Sequence, residues 1–141
     1  MLMGFVTADI TIRNGVDVAL AKKGQLSEDA IREVNVTSLV DSGSFTLIIN
    51  ETVQQELDLP VLYTKPCRTA DGHVAVLDVA GPVEVLFKNR VTICEAVISP
   101  GLHQILLGVI PLEGMDVVIN PITQKLALNP EHPDAVVMML Y

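Results

Sequence analysis

Three observations predict an all-β fold organised as one domain. Short apolar, β-branched runs recur along the chain, separated by Gly, Pro, Asn and Asp residues typical of turns, and we count about eight such strands. The length of 141 residues is typical of a single domain with one core. No internal repeat or low-complexity segment interrupts this pattern. A barrel or a sandwich satisfies all three observations.

The first half of the chain is predicted to combine strands with two short, capped helices. Asn14 can cap a helix over residues 16–23, which Gly24 would end, and Asn50 can cap another over residues 51–59. The β-branched runs that predict strands here are residues 4–13, 31–40 and 45–49. Each helix would therefore follow directly after a strand.

The second half of the chain is predicted to be built from hairpins. Residues 65–79 form the first, with a tight type I′ turn at Asp71-Gly72, and residues 82–99 form the second, turned at residues 88–90. Further apolar runs are found at residues 104–108, 116–120 and 125–129. Paired strands of this kind would complete the barrel or sandwich.

Composition argues against two classes of partner. The formal net charge is −8, with seventeen acids against nine Lys and Arg residues, so no nucleic-acid interface is expected. No run of about 18 apolar residues predicts a membrane-spanning helix, and the N-terminus lacks the basic and apolar regions of a signal peptide. We expect a soluble, cytoplasmic protein with apolar surface partly buried between subunits.

The cysteine pattern gives no sign of a metal site. Cys67 and Cys94 form no CxxC motif and have no His at ligand spacing. We expect two free, buried thiols in a reducing compartment. Neither a metal nor a cofactor is predicted.

A polar insert, DSGS at residues 41–44, interrupts an otherwise apolar, β-branched stretch. Two interpretations are open on the residues alone. Asp, Ser and Gly are the ordinary residues of turns, and a turn between two strands would account for them. The alternative is a carboxylate held in a low-dielectric site for chemistry.

The order of motifs along the chain resembles that of retropepsin-like aspartic peptidases, the single-lobed relatives of pepsin. LVDSGS resembles their apolar-apolar-Asp-Thr/Ser-Gly-Ala/Ser loop, and ILLG, residues 105–108, resembles the element that braces it. The stretch from this ILLG through NPEHP resembles the end of a small bacterial group of such domains. The resemblance covers residues 5–131. It implies a closed acid-protease-like β-barrel of one lobe, with one or two short helices, over residues 1–131, followed by a tail at 132–141.

The resemblance implies an aspartic endopeptidase that works as a homodimer. Such an enzyme needs two carboxylates that share one proton, one to accept a proton from the lytic water and one to donate to the scissile carbonyl. This chain has one D-[ST]-G sequence, so the second carboxylate would be Asp41 of a second subunit across a two-fold axis. The substrate would be an extended peptide or protein.

The residues that follow Asp41 would support it. Gly43 lets the backbone turn sharply and brings its N–H towards the carboxylate. Ser42 stands where most relatives have Thr, and its hydroxyl would bond across the dimer. The Ser44 hydroxyl can donate to Asp41 and favour its ionised form, which predicts a more acidic working range than alanine would give.

Other residues take roles from the same resemblance. The hairpin tip would be a flap that closes over the peptide, although Asp71 alone indicates a turn and His73 an exposed side chain. The flap residues are Asp71, Gly72 and His73. The bracing element contains Leu106, Leu107 and Gly108. The expected apolar pocket residues are Leu39 or Val40, Val74, Val76, Ile105 and Leu107.

Rival functions remain open. The chain could be a non-catalytic retropepsin-like module that binds peptides or proteins without cutting them. It could also be an enzyme restricted to its own precursor or to one dedicated partner. Whether the apolar tail AVVMMLY interleaves at a dimer interface is equally open, since Pro130 and Pro133 interrupt its approach. His103 and His132 lie in predicted loops and indicate no function.

Overall fold

The computed structural model describes residues 5–141, which fold into a mostly β domain. The strands are β1 (Thr7–Asn14), β2 (Glu33–Val40), β3 (Leu47–Ile49), β4 (Val61–Arg68), β5 (Val74–Phe87), β6 (Arg90–Ile98), β7 (Ile105–Leu107), β8 (Val117–Asn120) and β9 (Lys125–Leu128). The helices are α1 (Gly15–Lys22), α2 (Glu51–Leu57) and α3 (Val109–Gly114), with a 3₁₀ turn at Glu28–Ala30.

Six strands close into a barrel because β1 pairs with β2 on one side and with β5 on the other. The order around the barrel is β1, β2, β7, β3, β6 and β5. Within the part of the chain that the structure describes, β4 pairs only with β5, and β8 and β9 form a separate two-stranded ribbon. The predicted β-rich class and the closed barrel are confirmed. The expectation of one or two short helices is wrong, because the described residues also form a third short α-helix at 109–114.

The longest strand, β5, belongs to two parts of the molecule. Its second part pairs with β1 and β6 inside the barrel, and its first part pairs with β4 to form an arm that ends in the hairpin tip. The β5–β6 register shifts between Ala80 and Val83, and the β4–β5 register shifts between Val61 and Tyr63. The two predicted hairpins therefore share one strand, with an irregularity where they meet.

The barrel interior is filled by aliphatic side chains from every strand of the ring. Ile12, Leu47, Val83 and Leu107 are completely buried, and α2 adds Leu57 to the same cluster. Burying one such side chain contributes about 1.5–3 kcal/mol to folding. This core fixes the positions of the short strands β3 and β7, which have few backbone hydrogen bonds of their own.

Both predicted helix caps are confirmed. The Asn14 side chain accepts from the backbone N–H groups of Val16 and Asp17, and the Asn50 side chain accepts from that of Val53. α2 ends two residues earlier than predicted, because Asp58 takes the left-handed conformation, with φ of 49°. A left-handed residue after the last turn is a common way to end a helix.

The segment after β9 is tied to the barrel through Asp116. This carboxylate accepts from Asn129 Nδ2 at 3.0 Å and from the Val137 N–H at 3.3 Å, and it lies 2.7 Å from His132 Nδ1. These contacts lower the pKa of Asp116, and the bond from Asn129 is the largest cause. Arg90, a fully buried side chain, donates to the carbonyl of His132. The part of the predicted tail from His132 to Val137 is therefore held against the barrel.

Candidate functional site around Asp41

Asp41 lies directly after β2, where the chain crosses to β3. These strands do not pair with each other, because β7 lies between them, parallel to β2 and antiparallel to β3. Leu107 is in register with Val40 on one side and with Leu47 on the other. The Asp41 loop therefore spans the end of β7 at the edge of the barrel.

Backbone hydrogen bonds hold this loop from behind. The Asp41 N–H donates to the carbonyl of Leu107 at 3.0 Å, and the Val109 N–H donates to the carbonyl of Ser44 at 2.8 Å. A third bond, 2.9 Å long, runs from the N–H of Ile110 to the carbonyl of the residue after Ser44. Residues from the end of β7 and the start of α3 thus position both ends of the DSGS sequence.

Gly108 lies where the loop and α3 approach most closely. A Cβ atom built on Gly108 would lie 2.2 Å from the carbonyl oxygen of Thr46 and 2.4 Å from that of Ser44. Contacts this short with backbone atoms are not tolerated, so only glycine fits without moving the loop. The backbone of Gly108 is extended, with φ of −94°, a conformation that any residue can adopt. Glycine is therefore required here by the close packing and not by the backbone conformation.

The Asp41 carboxylate is half-buried and accepts two hydrogen bonds from its own loop. The Gly43 N–H donates to Oδ1 at 2.9 Å, and the Ser44 hydroxyl donates to Oδ2 at 3.1 Å. Both are bonds that the sequence predicted. Ser42, predicted to bond across a dimer, is exposed in the single chain.

A cavity of about 680 Å³ opens in front of Asp41. Most of its surface is apolar, and of the residues that line it Asp41 alone carries a carboxylate. Its apolar lining comes from Phe45, Ile48, Leu77, Val97, Leu102 and Leu106. Its polar lining includes Asp41, Ser44, Arg68, Thr69 and Ser99.

None of the predicted pocket residues lines this cavity. On β5 and β7 they lie on the strand face opposite to the residues that do line it. Val74 and Val76 are exposed on the outer face of β5, whereas Leu77 shares the face of the buried Val79. Side chains two residues apart on a strand share a face, so counting back from Val79 would have identified Leu77. On β7, Leu106 faces the cavity. The other predicted residues, Leu39, Val40, Ile105 and Leu107, do not line it.

The hairpin tip differs from the predicted type I′ turn. The Thr69 N–H donates to the carbonyl of His73 at 2.8 Å, and the Gly72 N–H donates to that of Thr69 at 2.9 Å. A type I′ turn needs positive φ at both central residues, but only Gly72 has it, at 87°. The connection is therefore a three-residue one that ends in a left-handed glycine. Of the predicted flap residues Asp71, Gly72 and His73, none lines the cavity.

The exposed Asp71 carboxylate stabilises this tip locally. It accepts hydrogen bonds from the Thr69 hydroxyl and from the His73 N–H, and it lies 3.0 Å from His73 Nδ1. These contacts lower the pKa of Asp71, with the Thr69 hydroxyl as the largest cause. Asp71 therefore serves the turn, as its sequence context indicated.

Two cations near the cavity were not singled out from the sequence. Arg68, on the arm, lines the cavity. Lys65 lies with Nζ 5.0 Å from the ring centre of Phe45, a cation–π distance. Nearby, the Tyr63 hydroxyl donates to Glu95, and this bond raises the pKa of Tyr63. The sequence shows that both cations precede the predicted turn on the same strand, but this position alone does not indicate a role at the cavity.

The two cysteines lie in different environments. Burial raises the pKa of the Cys94 thiol to about 12, as expected for a thiol in the core. Cys67 is only half-buried and lines the Asp41 cavity, so the prediction of two buried thiols is wrong for this residue. Both thiols are free.

Comparison with known proteins does not identify a family. No protein-family model matches the sequence, and no curated protein gives a significant match. Among residues 5–141, no helix has the length and apolar character needed to cross a membrane. Over the same range, no three His, Cys, Asp or Glu side chains are grouped so as to hold a metal ion. The fold and site together define a closed β-barrel with a hydrogen-bonded carboxylate at the mouth of an apolar cavity.

Proposed function

We propose that the protein is a retropepsin-like aspartic endopeptidase that acts as a homodimer. The observation that carries the proposal is the Asp41 carboxylate, held by the Gly43 N–H and the Ser44 hydroxyl at a cavity to which the described residues contribute no second acid. A carboxylate-only mechanism needs a partner acid, and a two-fold axis beside the loop would supply Asp41 of a second subunit.

In the proposed dimer the two Asp41 carboxyl groups share one proton, since two like charges at short distance cannot both ionise. The ionised carboxylate takes a proton from water, and the oxygen of that water forms a bond to the scissile carbonyl carbon. The protonated carboxyl gives its proton to the carbonyl oxygen. Collapse of the tetrahedral species breaks the C–N bond: the leaving nitrogen takes up the proton that the first carboxylate removed from water, and one hydroxyl of the tetrahedral carbon returns a proton to the other carboxylate.

The cavity supports an extended peptide as the substrate. β4 ends the sheet, and no other strand among residues 5–141 pairs with its outer edge, whose backbone groups can therefore pair with a peptide strand. The lining around Asp41 is mainly aliphatic and aromatic, which favours apolar side chains next to the cleaved bond. The arm that carries Arg68 and Thr69 would cover the bound peptide and exclude water.

Exposed apolar side chains support the association of two copies. Phe45 and Ile110 lie beside the Asp41 loop and are 43% and 50% exposed. The tail exposes five consecutive large apolar residues, Val137, Met138, Met139, Leu140 and Tyr141. Surface of this kind is typical of protein interfaces. The unbridged cysteines support a reducing compartment such as the cytoplasm.

The deciding experiment compares Asp41→Asn with Asp9→Asn and the wild type. Asp9 is an exposed carboxylate outside the Asp41 cavity that accepts from the Thr37 hydroxyl, a bond that Asn can keep. We expect the wild type and Asp9→Asn to cut a diverse peptide mixture at acidic pH, read by mass spectrometry. Asp41→Asn should cut nothing, because the shared-proton pair is lost.

Sedimentation of the wild type provides an independent check. A dimer is expected at the concentrations where peptides are cut. A strictly monomeric protein contradicts the proposal, because one Asp41 lacks its partner. If the wild type binds peptides without cutting them at any pH, and Asp41→Asn binds them equally well, the non-catalytic binding module replaces the peptidase.

A further inference from the structure

Among residues 5–141, Arg68 is the one cation that lines the Asp41 cavity. Its Nη1 donates to the carbonyl of Gly72 at 2.9 Å, across the hairpin. This bond fixes the orientation of the guanidinium and leaves its other N–H groups free to meet a ligand. A guanidinium held in place loses less side-chain freedom on binding a carboxylate than a mobile one does.

Two other arginines, Arg13 and Arg32, are neutralised by carboxylates, whereas Arg68 is not; Arg90 also lacks a carboxylate partner among the described residues but is buried in the core, away from the Asp41 cavity. Arg13 contacts Glu28, Glu33 and Glu84. Arg32 contacts Asp17 and Asp58. Within residues 5–141, no carboxylate lies within ion-pair distance of Arg68. In a protein with a net charge of −8, this leaves an uncompensated positive charge beside the cavity.

The neighbouring acids do not compensate this charge. Asp71 follows three residues after Arg68 in the hairpin turn, but its carboxylate contacts the Thr69 hydroxyl and His73. Asp41 accepts from its own loop. Lys65, whose Nζ lies over the ring of Phe45, adds a second positive charge beside this cavity-lining residue. The arm side of the cavity is thus positive, while the loop side carries the Asp41 carboxylate.

From this charge distribution we propose that the preferred substrates are peptides that carry an acidic side chain close to the apolar residues at the cleavage site. Arg68 would bind that carboxylate on the arm side, away from Asp41, while the aliphatic lining binds the apolar residues. Arg68 is then a specificity-determining residue. The inference rests on the proposed peptidase function, because it assigns the Asp41 cavity to a peptide.

The test uses pairs of peptides that differ only by Glu or Gln at one position, moved stepwise along a sequence with an apolar centre. Wild-type cleavage is measured as kcat/KM, and binding is measured with the Asp41→Asn protein by fluorescence anisotropy. At one or two positions we expect the Glu peptide to bind and to be cut about fivefold better at low salt, a typical size for a partly exposed ion pair.

Charge variants identify the residue responsible. Arg68→Gln should abolish the preference for Glu and Arg68→Glu should reverse it, while Lys125→Glu keeps it, because Lys125 is an exposed cation that does not line the cavity. High salt should also weaken the preference. The inference is overturned if the Glu and Gln peptides bind and are cut equally well at every position, or if the preference for Glu persists in Arg68→Gln. Neither result contradicts the proposed peptidase function. If the wild type cuts neither peptide, the proposed function fails, and anisotropy alone decides whether Arg68 selects acidic peptides.

Discussion

The Asp41 loop and the hairpin tip border the same cavity, but different contacts hold them. The loop is bonded from behind by residues 107–110, which are far away in sequence, and a Cβ at Gly108 has no room. The tip, residues 69–73, is held by bonds within the hairpin, and a Cβ at Gly72 would meet nothing within 4 Å.

This difference separates an anchored side of the cavity from a side that can move. Segments tied to the core by long-range contacts open only with much of the fold, whereas exposed segments with local bonds open readily. A peptidase needs both, because the catalytic carboxylate must be positioned accurately while the covering segment must let the peptide in. Substitutions on the two sides should therefore have different consequences.

The largest effect is expected at Gly108. Gly108→Ala forces a methyl group against the carbonyls of Ser44 and Thr46, so the Asp41 loop must shift. We expect a loss of about 3 kcal/mol in the free energy of unfolding, measured with urea, as for severe overpacking. Cleavage should be lost as well, because the loop holds Asp41.

Gly72→Ala is the matched control on the other side of the cavity. The added methyl group has free space, and only the positive φ of 87° opposes it. A cost of about 1 kcal/mol is expected. Equal losses of stability for the two glycine variants would show that the two sides are anchored alike.

A smaller effect is expected from Ser44→Ala. The variant loses the hydroxyl that donates to Asp41 Oδ2, a half-buried bond worth about 1 kcal/mol. Because that bond helps to position the reacting carboxylate, its loss should lower kcat/KM for peptide cleavage by about fivefold, the equivalent of about 1 kcal/mol. An unchanged kcat/KM would mean that the hydroxyl does not act on the reacting pair.

The smallest effect is expected from Asp71→Asn at the tip. The pKa of Asp71 in the folded protein lies below its ordinary value, so its ionised form favours folding above that value. This contribution is lost as the pH falls through the lowered pKa. The difference in urea midpoint between the wild type and Asp71→Asn should therefore be present at neutral pH and vanish in strong acid. A difference that stays constant with pH would contradict the role of the charge.

Local patterns in the sequence were sufficient to predict much of the fold. Asn14 and Asn50 act through hydrogen bonds to residues two or three positions away, so their caps are visible in a short window of sequence. The alternation around the hairpins likewise predicted paired strands. Local patterns could not predict the position of β7 between β2 and β3, because three-residue strands pair there with partners far away in sequence. Only the resemblance of ILLG to a bracing element pointed to a place behind the Asp41 loop.

Within the site, the sequence predicted the immediate surroundings of Asp41 but not the cavity. Gly43 and Ser44 contact the carboxylate through the loop itself, and their roles follow from their distance along the chain. The lining of the cavity depends on which face of each strand is turned inward. On β5, taking Val76 and not Val79 as an inward-facing residue assigns every side chain of the strand to the wrong face. Arg68 was missed because its importance comes from missing partners, which only a three-dimensional arrangement reveals.

The register shifts at the base of the arm have a mechanical consequence. From Ala80 to Val74 the arm extends over six residue steps, or about 20 Å of strand. Interruptions of the ladder on both sides, between Val61 and Tyr63 and between Ala80 and Val83, make this base the place where bending costs least. A rotation of about 10° there would carry the far end of a rigid arm of this length by about 3.5 Å. That displacement exceeds the diameter of a water molecule. A small bend at the base of the arm is therefore enough to admit water to the cavity or to exclude it.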